Sequence, residues 1–65
     1  MQIWLKFDTP DDEEPSHTAL VFTEDGETRI EWWNEDVGVV STVNASSVQN
    51  AERWLTDRGY IDFTA

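Results

Sequence analysis

The chain has 65 residues, of which fourteen are acidic and four are basic, for a formal charge of −10 and an isoelectric point near 4.1. That length allows one domain, residues 1–65, burying only about 60% of the surface its unfolded form would expose. The absence of cysteine excludes disulfides and thiolate metal sites, a single histidine cannot make a histidine-rich zinc site, and the charge argues against direct binding to nucleic acid.

Residues 2–7 alternate Ile3, Leu5 and Phe7 with Gln2, Trp4 and Lys6, the period-two pattern of a strand. They lack the basic start and long apolar run of a signal peptide, and no run reaches the roughly 20 apolar residues of a membrane span. A cytoplasmic protein is the expectation. Residues 8–16 hold two prolines and five acids and predict a solvated loop.

Residues 18–23 and 27–33 predict a hairpin around Asp25-Gly26. A two-residue loop pairs Val21 with Ile30 and Phe22 with Arg29, which divides the large apolar groups between both faces. A three-residue loop, Glu24-Asp25-Gly26, aligns Leu20, Phe22, Ile30 and Trp32 on one face, and leaves Ala19, Val21, Arg29, Glu31 and Trp33 on the other. The second register separates apolar from polar better and is the one expected. Residues 37–43 are a β-branched run and predict a fourth strand.

Residues 47–58 predict the one helix. Ser46 is the expected N-cap with Gln49 completing a capping box. Val48, Ala51 and Leu55 form the buried stripe, with Trp54 beside it. Gly59 fits the left-handed position after the helix, with Tyr60 folding back on Leu55. Tyr60-Ile61-Asp62-Phe63 predicts a short last strand. The order ββββαβ implies a small α+β fold, an antiparallel sheet in spatial order 5-1-2-3-4 with one helix on one face. The expected core is Ile3, Leu5, Phe7, Leu20, Phe22, Ile30, Trp32, Val39, Val48, Ala51, Leu55, Ile61 and Phe63.

Four groups of residues are candidate sites. The acids of the 8–16 loop lack the alternating ligands and central glycine of a calcium loop, so a solvated charge run is expected and no metal or cofactor. Ser16 and His17 border a flexible loop with nothing to assemble a nucleophile, base and oxyanion hole, and no enzyme is expected. Glu24, Asp25, Glu27, Glu31, Glu35 and Asp36, opposed only by Arg29, are a candidate phosphate-like row, because alternate strand residues project to one face about 6.6 Å apart. In the expected register Trp4, Lys6, Arg29 and Trp33 share the face opposite the helix, where exposed tryptophan marks a contact surface.

These residues predict a non-enzymatic acidic interaction module. Its expected partner is a protein with a basic surface, and one concrete version is a viral or mobile-element inhibitor that mimics nucleic acid. The alternative is a small protein of a salt-accumulating cell, a homodimer in one arrangement, whose acids serve hydration.

Overall fold

The computed structural model describes residues 1–64. Five strands, β1 (Gln2–Lys6), β2 (His17–Glu24), β3 (Glu27–Asn34), β4 (Gly38–Ala45) and β5 (Ile61–Asp62), and one helix, α1 (Val48–Asp57), follow in the order ββββαβ. The sheet is antiparallel in spatial order β4-β3-β2-β1-β5. The small α+β architecture and its strand order are those the sequence predicts.

The hairpin register differs from the expected one. Val21 pairs with Ile30 and Glu24 with Glu27, so the loop is Asp25-Gly26 alone. Both residues have positive φ, 53° and 79°, the type I′ geometry whose twist matches that of the strands it joins. Local turn chemistry therefore overrides the tidier separation of apolar and polar side chains. A one-residue shift exchanges the two faces of a strand, and here it inverts β2 against expectation.

The core changes accordingly. Trp4, Ala19, Val21, Ile30, Ala51, Leu55 and Tyr60 are buried together, with Trp32 and Ala45 packed against them. The expectations for Ile30, Trp32, Ala51 and Leu55 hold. Those for Ile3, Leu5, Phe7, Leu20, Phe22, Ile61 and Phe63 do not, because these side chains lie on the face away from α1 or beside it. Val39 stands exposed on β4, and Val48 is half-buried at the start of α1. The physical reason is room. Ala19 and Ala51 are both fully buried in the same core cluster, and side chains this small on β2 and α1 let the helix approach the sheet closely. The large indoles of Trp4 and Trp32 then fill the flanks. Their polar tips are satisfied, Trp4 Nε1 donating to Gln2 Oε1 at 2.9 Å and Trp32 Nε1 to Tyr60 Oη at 2.9 Å, as buried indoles require.

The helix is capped one residue later than expected. Ser47 is the N-cap, and its Oγ accepts from Asn50 N at 3.0 Å. The Asn50 side chain donates to Ser46 Oγ, one residue before the cap, so Asn50 rather than Gln49 reaches back across the helix start. The other end is as expected. Gly59 has φ +88°, its N–H donates to Thr56 O at 3.1 Å, and Tyr60 N–H donates to Leu55 O at 3.0 Å. This is the Schellman pair, with Tyr60 folded onto the core.

Candidate functional site

The turn that inverts β2 also builds the site. Residues pairing across the strands share a face, so Ile3 and Leu5 of β1 stand with Thr18, Leu20 and Phe22 of β2 and with Arg29, Glu31 and Trp33 of β3. The α1 helix packs on the opposite face. The helix-free face is therefore rich in apolar groups. Leu5, Leu20 and Phe22 are half-buried, Ile3 and Trp33 are exposed, and Phe63 at the β5 side packs on Phe7 with ring centroids 6.1 Å apart. The accessible surface is 4683 Å², above the roughly 4,250 Å² of a compact monomer of this mass, as an uncovered sheet face requires.

Trp4 does not stand on the helix-free face. It is only 5% exposed, pairs with Ala19 and lies under α1. Lys6 follows it to the helix side, where its Nζ stands 5.7 Å from the Tyr60 ring centroid, a cation–π contact. The structure thus separates Trp4 and Lys6 from Arg29 and Trp33, which the expected register placed together. Of the four, Arg29 and Trp33 remain on the helix-free face, and the Trp33 indole is 43% exposed.

Most of the acids fall at two ends of the sheet. At the hairpin tip, Glu24 and Glu27 pair across the strands beside Asp25. Arg29 holds both, its Nη2 at 3.1 Å from Glu27 Oε2 and its Nη1 at 3.8 Å from Glu24 Oε2. The opposed carboxylates are stabilised by that shared guanidinium, and Arg29 is largely spent on its own chain. Glu31, two residues on, is half-buried and carries no ion pair among the described residues.

At the other end the 8–16 loop meets the turn after β3. Glu14, Pro15 and Ser16 face Trp33, Asn34, Glu35 and Asp36 across a shallow polar groove of about 300 Å³. The turn is held by Asp36 N–H donating to Asn34 Oδ1 at 2.8 Å. The loop is closed at its neck, since the Lys6 carbonyl accepts from both Ser16 N at 2.7 Å and Ser16 Oγ at 3.1 Å. Inside it, Thr9 N donates to Asp12 Oδ2 and Asp12 N to Thr9 O. Glu14 of the loop and Glu35 and Asp36 of the turn thereby gather beside the exposed Trp33 indole, while Asp12 lines a separate groove with Phe7, Ile61 and Phe63. Glu14 was not among the expected contact residues. Its signal was present, since antiparallel β1 and β2 must bring their connecting loop to the end of the sheet where β3 terminates.

Ser16 Oγ lies 3.0 Å from His17 Nδ1. The same hydroxyl also bonds the Lys6 carbonyl at 3.1 Å, so Ser16 Oγ is shared between the loop neck and the imidazole. Among the described residues no three of His, Asp and Glu come close enough to hold a metal ion. No helix among them is long and apolar enough to cross a membrane.

No protein-family model, curated protein or solved structure matches the chain.

Proposed function

We propose that this chain is a non-enzymatic acidic interaction module, acting in the cytoplasm, that docks a basic surface of another protein against the helix-free face of its sheet. The supporting observation is Trp33, an exposed indole on that face with Glu14, Glu35 and Asp36 around it. An indole supplies the desolvated anchor and the carboxylates supply attraction and orientation. Along β3, Glu27, Arg29, Glu31 and Trp33 project to the same side at about 6.6 Å intervals. In its specific form the module imitates a row of phosphates and competes with nucleic acid for the partner's basic groove, as an inhibitor carried by a virus or mobile element would.

The experiment is displacement of a fluorescent DNA duplex from a panel of basic DNA-binding proteins. Displacement is expected with at least one of them and should weaken steeply between 50 and 500 mM salt. Trp33→Ala should weaken it about thirtyfold, the ~2 kcal/mol typical of an anchor, and the double change Glu35→Gln, Asp36→Asn should flatten the salt dependence. Failure to displace from every member, or displacement indifferent to salt, counts against the proposal.

A second reading, adaptation to a salt-rich cytoplasm, is favoured by a separate observation. Among the described residues only Glu24 and Glu27 of the fourteen acids make ion pairs. Unpaired carboxylates distributed in this way hold water and counterions without any partner.

A further inference from the structure

The two edges of the sheet are built differently. β5 has only two residues, one of them Asp62, and short, charged edges are how natural sheets prevent unwanted pairing. β4 has eight residues, Gly38–Ala45, with neither charge nor proline. Residues 37–51 form a run of fifteen without a single ionisable group, in a chain that elsewhere places an acid every few residues. Val39, Val40 and Val43 on this strand are 44%, 56% and 44% exposed. A bulge opposite Trp32 and Trp33 interrupts the start of β4, and from Ser41 to Ala45 the ladder is regular.

We propose that β4 is a pairing edge whose occupant is β4 of a second copy, antiparallel about a two-fold axis, joining two five-stranded sheets into one of ten. Charge selects the occupant. A basic partner finds no carboxylate along residues 37–51, whereas a second copy with its own charge of −10 meets here the stretch that opposes it with none. Symmetry sets the register. An axis beside Val43 pairs Val43 with its own copy, Thr42 with Asn44 and Ser41 with Ala45, small or β-branched throughout. Because the other edge is guarded, pairing closes at two copies and does not propagate into a filament.

The helix side of β4 completes the fit. α1 packs over the middle of the sheet and leaves an apolar groove of about 360 Å³ beside β4, walled by Trp32, Val43, Ala45, Ala51 and Trp54. Five paired residues alone fall short of the roughly 1,000 Å² that a specific interface needs. Bringing the two grooves together across the axis adds side-chain area from Val43 and Trp54 of each copy. The acidic poles stay free in this arrangement, so self-pairing is independent of partner docking and would present two acidic sites on one particle.

Light scattering and a cross-link test this together. In molar KCl the chain is expected at twice its monomer mass of 7.5 kDa. Val43→Lys opposes two ammonium groups across the axis and should return it to the monomer, although the net charge per chain falls. Val43→Thr should leave the dimer intact, and circular dichroism checks that each variant is folded. Val43→Cys, the sole thiol of the chain, would stand about 4.5–5.5 Å Cα to Cα from its symmetry mate, within disulfide reach, and should cross-link nearly completely under mild oxidation. A monomeric wild type overturns the proposal, as does a dimer that survives Val43→Lys and does not cross-link through Val43→Cys. Neither result bears on displacement of DNA, so the two proposals fail separately.

Discussion

Asp62 shows how one side chain closes this small chain on itself. Its carboxylate accepts from the Thr64 N–H at 2.8 Å, and Thr64 Oγ1 in turn accepts from Ile3 N–H at 2.9 Å. Bonding to Thr64, first its side chain and then its backbone, holds the Asp62 carboxyl below the usual value of 3.8. A carboxyl depressed in the folded state contributes stability above its unfolded value and loses that contribution as pH falls through the folded one. The Asp62 carboxyl resonance should therefore titrate with a midpoint below 3.8, and Thr64→Ala should move it upward; no movement would mean that the Thr64 contacts do not form in solution. Other residues were less readable. Ile3, Trp4 and Leu5 are consecutive apolar residues of one strand, and a period of two states that Trp4 faces away from its neighbours without stating which side faces the helix. The two buried alanines decide it, and alanine carries almost no signal of burial in a sequence.

At the scale of elements, the hairpin shows both what was legible and what was not. Strand spans, helix, Schellman cap and strand order follow from periodicity and capping chemistry. The register does not follow from apolar–polar segregation, which favours the three-residue loop, whereas the Asp25-Gly26 turn selects the two-residue one. Asp25-Gly26 between alternating runs is a strong two-residue hairpin signal; given precedence, it places Val21 opposite Ile30 and turns Leu20 and Phe22 to the helix-free face beside Trp33, which both registers put there. The turn can be tested directly. Asp25 adopts φ 53°, where a β-branched residue is strained. Asp25→Val should cost about 1–2 kcal/mol in urea unfolding, a large share of the few kcal/mol available to a domain this small. A three-residue loop would tolerate that change, so an unaltered midpoint would contradict the type I′ turn. The candidate site was legible in part. Arg29, Glu31 and Trp33 do share a face, while Trp4 and Lys6 belong to the other one.

At the scale of the whole molecule, charge opposes folding. Ten net negative charges repel one another, and raising ionic strength to 1 M shortens their reach to about 3 Å. Melting followed by circular dichroism should therefore shift upward between 0.05 and 1 M KCl. Each ~1 kcal/mol gained raises the midpoint by about 4–8 °C for a domain of this size. A midpoint indifferent to KCl would show that the carboxylates are spaced widely enough not to burden the fold. A chain unfolded at 0.05 M would favour salt adaptation. Glu14, Glu35 and Asp36, gathered beside Trp33, make that repulsion uneven where the 8–16 loop meets the turn after β3.

That loop leaves and rejoins the sheet through a single carbonyl, Lys6 O, gripped twice by Ser16. A loop tied at its base can change in length or content with little consequence for what lies below the knot. Its aspartates and glutamates are therefore the portion of the molecule whose replacement should disturb the strands and helix least.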